Sequence, residues 1–192
     1  MKAAETVAEL LDEGVRMVLC ARPAHRIPPR ASVTHRWQML SLGVAENPRL
    51  IADDREISQS GPSYTVLTLE AERLLIGEQE PLFWVLGYDS FLSLESWYRW
   101  QDILELANLI VLRRPGQYPD ESEAIKAICR ARVVADIPVT SHGSVYFVAA
   151  PMLKGSAAEI REKIQSSDAV DHLLKKAVAS YISEHNLYGG AP

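Results

Sequence analysis

The sequence has few cysteines and no long apolar run. Its 192 residues include two cysteines, Cys20 and Cys129, which lie too far apart to form a zinc motif or a disulfide framework. The apolar stretches, such as 109–112 and 145–150, are much shorter than the ~18 residues of a membrane span. The N-terminus lacks the basic-then-apolar pattern of a signal peptide. These absences predict a cytoplasmic protein that does not bind a membrane.

Basic residues are also scarce. The chain has 20 lysines and arginines against 25 acidic residues, which gives a net charge of −5. Binding to a nucleic-acid backbone requires a basic face, so nucleic acid is excluded as a predicted partner, whereas a small phosphorylated ligand needs only a few local cations. The hydrophobic fraction of 47% is typical of a folded protein. We therefore expect one folded domain over residues 1–192.

Short apolar segments alternate with amphipathic segments along the chain. We predict strands over 15–20, 50–53, 82–86, 108–112 and 145–150. We predict helices over 3–11, 33–46, 64–76, 101–106, 121–133, 156–165 and 168–184. This alternation predicts an α/β fold with a doubly wound parallel sheet. Such folds normally open with a strand and a phosphate-binding turn, whereas this chain opens with a helix, so we expect the first strand to be missing and the domain to be N-terminally truncated.

Polar residues follow four of the predicted strands. Ligands of doubly wound folds bind beyond the carboxyl ends of the strands, so these residues are candidates for a nucleotide site. The candidates are Arg22, His25 and Arg26; Gly87, Tyr88 and Asp89; Arg113 and Arg114; and Lys154, Gly155 and Ser156, with Arg161 on the following helix. The alternative is that each loop only carries solvated surface charges.

Motifs of other enzyme classes are absent. The sequence has no G-x-S-x-G elbow, C-x-x-C, H-E-x-x-H, G-x-G-x-x-G or Walker A loop. The segment Ser-His-Gly-Ser at 141–144 is interpreted as a turn before the last strand. Trp97 and Tyr98 either pack in the core or stack on a flat ring. Three histidines are interpreted as surface residues without a partner at metal spacing: His35, His172 and His185.

Several motifs occur in the order and spacing of one enzyme family. The segments are 22–26 (RPAHR, similar to PPH(K/R)), 61–69 (GPSYTVLTL, PSYTxxTL), 86–91 (LGYDSF, GxDxF/L), 96–100 (SWYRW, TWY/HRW), 109–116 (LIVLRRPG, HLIVxxRPG), 156–161 (SAAEIR, SxTxIR) and 181–188 (YI…LY). On these segments the sequence resembles the bacterial nicotinate-nucleotide adenylyltransferases over essentially its whole length.

The resemblance implies a Rossmann-like nucleotidyltransferase fold and an activity. The family transfers the adenylyl group of ATP to nicotinate mononucleotide with Mg²⁺ assistance, releasing pyrophosphate and giving deamido-NAD. It acts as a monomer or homodimer. By similarity, three residues hold nicotinate mononucleotide: Thr65, Trp97 and Tyr98. By similarity, seven residues bind ATP: Gly87 and Asp89 at the ribose, His25 and Arg26 beside the nucleotide, and Ser156, Ile160 and Arg161.

The sequence departs from the family pattern at two places. Ala158 stands where the family usually has threonine, which puts one contact to ATP in doubt. The segment GGTFDPxHxGH, whose histidines contact the ATP phosphates, is absent, so no catalytic residue and no metal ligand is assigned. We expect the chain as written to be neither stably folded nor active, with its true start upstream of Met1.

Two alternative functions remain open at this point. The first is a non-catalytic nucleotide-binding relative that has lost the phosphate motif. The second is a sister transferase acting on nicotinamide mononucleotide, pantetheine phosphate or a choline-type phosphate. The PSYTxxTL segment and the pair Trp97–Tyr98 disfavour the sister transferase.

Overall fold

The computed structural model describes residues 2–24, 28–114, 116, 118–149, 157–166, 168, 170 and 173–189. The chain forms two compact units. The first unit comprises Met1–Arg22, Ile27–Gly61 and Pro151–Pro192, and the second comprises Pro23–Arg26 and Pro62–Ala150. In the described part of the chain, no helix has the length and apolar character needed to cross a membrane.

Helices and strands alternate as predicted. The helices are α1 (Lys2–Leu11), α2 (Val33–Val44), α3 (Arg55–Ser58), α4 (Thr65–Ile76), α5 (Tyr88–Leu92), α6 (Trp100–Leu106), α7 (Glu123–Arg132), α8 (Ala157–Gln165) and α9 (Lys176–Glu184), with a 3₁₀ turn at Leu94–Ser96. The strands are β1 (Val15–Val18), β2 (Leu50–Asp53), β3 (Phe83–Gly87), β4 (Asn108–Arg113) and β5 (Val145–Ala149). The segment 141–144 precedes β5 without regular structure, which confirms its interpretation as a turn.

Each unit contains a parallel sheet. In the first unit β1 pairs with β2, Val15 lying opposite Leu50. In the second unit the strand order is β3-β4-β5, Phe83 lying opposite Asn108 and Leu109 opposite Val145. The parallel pairing confirms the α/β fold class. The central strand β4 is buried along most of its length, which explains why its sequence is a continuous apolar run.

Each unit also has its own apolar core. In the second unit the core forms between the sheet and helices α4 to α7, and its fully buried side chains include Leu69, Phe91, Leu94, Ile103, Leu109 and Ile125. In the first unit a smaller cluster joins α1, α2 and β2 through Ala4, Val44 and Leu50. Burying each large aliphatic side chain contributes about 1.5–3 kcal/mol, so packing is the main source of stability in the second unit.

The packing of α2 against α9 corrects one interpretation. Ser32 caps α2 as expected from the sequence, because its Oγ accepts a 3.2 Å hydrogen bond from the His35 amide. The His35 side chain is half-buried, and its Nδ1 lies 2.9 Å from the Tyr181 hydroxyl. Its ring also lies 5.2 Å from that of His185. His35 is therefore a packing residue and not a partnerless surface residue; His172 lies outside the described residues.

Several predicted element boundaries are wrong for identifiable reasons. The helix predicted over 168–184 begins only at Lys176, because the Asp168 amide bonds to the Lys163 carbonyl and belongs to the end of α8. The helix predicted from 121 begins at Glu123, because Ser122 is its N-cap and its Oγ accepts from the Ile125 amide.

The end of the first predicted strand is also wrong. β1 ends at Val18 instead of at Cys20. The carbonyls of Cys20 and Ala21 accept hydrogen bonds from Arg36 at 2.6 and 2.8 Å, so they are not available for a strand partner.

One buried arginine connects the ends of several elements in the second unit. Arg73 of α4 is buried, and its guanidinium donates four hydrogen bonds to main-chain carbonyls. The acceptors are Leu106 at 2.7 Å, Gly77 at 3.0 Å, Glu80 at 2.6 Å and Ser141 at 2.6 Å. Burial lowers the pKa of the Arg73 guanidinium, and the charge of Glu78 partly opposes this. Arg73 thus joins the end of α4 to the end of α6 and to the loops before β3 and β5.

Candidate functional site

The carboxyl ends of β3 and β4 bring two candidate residues together. β3 ends at Gly87, which precedes α5, so Asp89 lies in the first turn of that helix. β4 ends at Arg113, and Arg114 follows. Since the strands are parallel neighbours, Arg114 Nη2 reaches Asp89 Oδ2 at 3.0 Å. The structure therefore places two of the predicted polar loops side by side, with an exposed ion pair between them.

Tyr88 forms a buried support beneath these loops. Its hydroxyl donates a 2.6 Å hydrogen bond to Glu121 Oε1, and the Arg113 guanidinium lies 4.7 Å from the centre of its ring. The Tyr118 ring packs edge-on against it at 4.6 Å. Burial and Glu121 raise the pKa of Tyr88 to about 12. An open cavity of about 420 Å³ beside it has Gly116, Asp120 and Lys126 in its lining.

This hydrogen bond leads to a prediction about pH. The unfolded chain loses the Tyr88 proton near the ordinary pKa of about 10, and the folded protein loses it near about 12. The stabilisation is therefore complete below pH ~10 and declines as the pH rises towards ~12. We expect Tyr88→Phe to lower the free energy of unfolding by about 1.5–3 kcal/mol at pH ~8 and by less at pH ~11.

Urea unfolding at the two pH values measures the effect. Tyr146→Phe is the matched control, because within the described residues its hydroxyl forms no hydrogen bond. A loss for Tyr88→Phe that is the same at both pH values would show that the hydroxyl contributes only packing.

A second cluster of candidate residues lies at the start of α4. Thr65 is the first residue of this helix, and Tyr64 before it stacks on Tyr98 with ring centres 4.5 Å apart. Trp97 is half-buried and packs, like Tyr64, against the core of the second unit. Arg99 is in the left-handed conformation and forms a 2.8 Å ion pair with Glu70 of α4. The segment with Trp97 and Tyr98 is thereby attached to the helix that begins with Thr65.

Sequence reasoning missed the role of Tyr64 in this cluster. Tyr64 belongs to the PSYT segment, and its position directly before Thr65 is the only sequence feature that indicates a site residue. The attachment through Arg99 and Glu70 has no sequence signature, because the two residues are far apart along the chain.

In the first unit, two predicted residues lie on α8. Ile160 is half-buried and Arg161 is exposed. Arg161 Nε donates to the Ala157 carbonyl one turn earlier at 2.8 Å, and in the described part of the chain Arg161 forms no ion pair. Burial raises the pKa of Tyr188, whereas the charges of Arg161 and Arg36 lower it. Arg161 therefore has a guanidinium that no carboxylate neutralises among the described residues.

Two arginines hold the loops that follow β1 and β2. Arg36 donates to the carbonyls of Cys20 and Ala21, as described above. Arg22 was predicted as one cation of a nucleotide site, but its Nη1 donates to the carbonyls of Gln59 and Glu56 at 2.6 and 3.2 Å. Arg22 thus has a structural contact that the sequence did not indicate, and the contribution of Arg36 was missed.

Part of the predicted site lies outside the described residues: His25, Arg26, Lys154, Gly155 and Ser156. Among the residues that are described, no group of three or more histidine, cysteine or acidic side chains is arranged to hold a metal ion.

Comparisons with known proteins give consistent results. Residues 1–169 match the cytidylyltransferase-like family. A probable nicotinate-nucleotide adenylyltransferase of Marinomonas sp. is 35% identical over 95% of this chain and 86% of its own length. The protein of the same name from Pseudomonas syringae pv. tomato is 36% identical over 98% of this chain and 86% of its own length.

A solved structure shares the fold. It is the nicotinic acid mononucleotide adenylyltransferase of Plasmodium falciparum complexed with NaAD, with a TM-score of 0.70 and 19% identity. The match covers 97% of this chain and 90% of that one.

Proposed function

We infer the function from the premise that this chain belongs to the nicotinate-nucleotide adenylyltransferases, within the cytidylyltransferase-like family. It transfers the adenylyl group of ATP to nicotinate mononucleotide, which gives deamido-NAD and pyrophosphate in NAD biosynthesis. The observation that carries this conclusion is the identity of 35% and 36% to enzymes of this name over at least 95% of the chain. A cytoplasmic location, a single domain and a monomeric or homodimeric state stay predictions.

The second unit supplies the residues proposed for nicotinate mononucleotide. We propose that Thr65, Trp97 and Tyr98 hold the nicotinate group, with Tyr64 supporting Tyr98 from below. The ring stack of Tyr64 and Tyr98 supports this role, since it presents a flat aromatic surface beside the start of α4. The exposed amide groups at a helix start also favour a carboxylate.

We propose that Gly87 and Asp89 bind the ribose of ATP. Asp89 is exposed and at the carboxyl end of a parallel strand, which is where this fold class binds ligands. Its ion pair with Arg114 fixes the carboxylate, so that one oxygen can accept a hydrogen bond from a ribose hydroxyl. Arg114 is therefore a positioning residue that the sequence did not single out from its neighbour Arg113.

For the remainder of ATP we propose five residues. They are Ile160 and Arg161 on α8, together with His25, Arg26 and Ser156. The unneutralised guanidinium of Arg161 supports a phosphate-binding role. Mg²⁺ accompanies ATP in this proposal and is held by the phosphates of the nucleotide, in agreement with the lack of a carboxylate cluster among the described residues.

The proposed reaction is a direct displacement at phosphorus. A phosphate oxygen of nicotinate mononucleotide forms a bond to the α-phosphorus of ATP. The bond from that phosphorus to the oxygen that bridges to the β-phosphate breaks, and pyrophosphate leaves with the electron pair. No covalent enzyme intermediate is needed, so the protein contributes by orienting the two substrates and by placing positive charge at the phosphates.

Pyrophosphate release tests the proposed function. We expect it to require both ATP and nicotinate mononucleotide, and to be much slower with nicotinamide mononucleotide. The assay should be run on the 192-residue chain and on a version extended to the upstream in-frame start. Calorimetric binding of both nucleotides without turnover in either version would favour the non-catalytic relative, and the absence of binding would contradict the assignment.

Trp97→Ala tests the assignment of the pyridine site. We expect the KM for nicotinate mononucleotide to rise several-fold and the KM for ATP to change little, because ring stacking contributes on the order of 1 kcal/mol. Trp100→Ala is the matched control, since Trp100 packs against the same core and its loss should leave the ratio of the two KM values unchanged. Equal increases in both KM values for Trp97→Ala would identify it as a packing residue.

A further inference from the structure

Three large apolar side chains of the second unit are almost completely exposed. Leu74 and Leu75, at the C-terminal end of α4, are 88% and 77% exposed. Val139, in the loop before β5, is 90% exposed. Single exposed apolar residues are common on protein surfaces, whereas a group of them is typical of an interaction site. We call these three residues the α4 patch.

The α4 patch lies at one edge of the second unit. Arg73 directly precedes Leu74, and its guanidinium bonds to the carbonyls of Glu80 and Ser141, both at 2.6 Å. The end of α4 is thereby joined to the loop that carries Val139. Both segments precede strands, β3 and β5, and so lie at the amino ends of the parallel sheet. The proposed substrate residues of this unit, such as Asp89, lie at the carboxyl ends, so the patch is not part of that site.

The surroundings of the α4 patch are acidic. The patch belongs to segments 74–82 and 134–143, which contain Glu78, Glu80 and Asp136 and neither lysine nor arginine. All three acidic side chains are exposed. A partner that covers the apolar side chains must therefore also accommodate three negative charges at the rim.

We propose that the α4 patch docks a basic amphipathic helix of another protein. Such a helix places apolar residues at i, i+3, i+4 and i+7 against the leucines, and its lysines or arginines face the acidic rim. A second copy of this chain does not meet the requirement, because two acidic rims would repel each other. A stable dimer also needs about 20–30 residues from each partner, whereas a central group of three apolar side chains fits the narrow footprint of one helix.

Peptide binding to the full 192-residue chain tests the proposal. The probe is a fluorescein-labelled helix of about 18 leucines and lysines with its leucines on one face, about five turns long. One control peptide has glutamate in place of lysine, and a second has the composition of the probe without an apolar face. Fluorescence anisotropy gives the dissociation constant of each peptide.

Matched variants separate docking from general charge attraction. We expect Leu74→Gln with Leu75→Gln to weaken binding of the probe about tenfold, and Glu78→Gln with Glu80→Gln to weaken it comparably. Glu9→Gln with Glu13→Gln removes the same charge from the first unit and should change the affinity less than about twofold. Thermal unfolding verifies that the variants remain folded, which is expected because all the changed side chains are exposed.

Three results would overturn the proposal. Equal weakening by the Glu9 and Glu13 changes, or equal binding of the peptide without an apolar face, would mean that net charge alone causes the attraction. Tighter binding of the glutamate peptide would mean that the rim does not select the partner. Self-association that disappears in the Leu74 and Leu75 variant would identify a second copy as the occupant.

Discussion

Replacement of Arg73 with methionine is expected to lower the free energy of unfolding by about 3–5 kcal/mol. The methionine side chain fills a similar volume but donates no hydrogen bond. Four carbonyls, including those of Leu106 and Ser141, then lose a charged donor inside the second unit. Each buried acceptor that is left without a partner costs about 1–3 kcal/mol, and water that reaches the more accessible ones reduces the total. Urea unfolding of the variant and the parent chain measures the difference.

The same substitution at an exposed arginine provides the control. Arg99 forms ion pairs with Glu70 and Asp102 on the surface of the same unit. Arg99→Met is expected to leave the unfolding midpoint almost unchanged, because solvent screens exposed ion pairs. Equal losses from the two substitutions would mean that the four carbonyl contacts of Arg73 contribute no more than a surface charge.

Arg161→Ala is expected to lower kcat/KM for ATP by about tenfold or more without a loss of stability. Arg161 is exposed on α8 and makes only one hydrogen bond, to the Ala157 carbonyl of its own helix. Its guanidinium can therefore bind phosphate oxygens without first breaking an ion pair among the described residues. The measurement is made on the version of the enzyme that turns over, with ATP varied at saturating nicotinate mononucleotide.

Lys163→Ala is the matched control on the same helix. Two residues separate it from Arg161, so the two side chains leave α8 in nearly opposite directions. We expect Lys163→Ala to change kcat/KM for ATP less than about twofold. An Arg161 variant that unfolds at a lower temperature but keeps the parent kinetics would identify a structural role for this residue.

The second sheet was predictable from the sequence because its strands are marked twice. The segments around Val85 and Ile110 are continuous apolar runs, and polar or glycine residues such as Gly87 follow them directly. A run of this kind is typical of a strand that is buried on both faces. The predicted ion-rich edge followed from parallel pairing alone, and the contact between Asp89 and Arg114 agrees with it.

The parts that sequence reasoning missed depend on contacts between distant residues. The helix expected from Asp168 begins at Lys176, because the Asp168 amide completes the end of α8 instead of starting α9. Arg73 has the sequence context of an ordinary polar residue on a helix. Its burial follows from main-chain acceptors around residues 77, 80, 106 and 141, which no side-chain pattern indicates.

The carbonyl acceptors of Arg73 have a consequence for how this family varies between species. A main-chain oxygen is present whatever side chain the residue carries, so Glu80, Leu106 and Ser141 can be exchanged without removing the contact. The same holds for Cys20, whose carbonyl accepts from Arg36. An alignment should therefore show these arginines retained without any covarying partner. Methods that infer contacts from correlated substitutions will not detect the interactions that hold these loops in place.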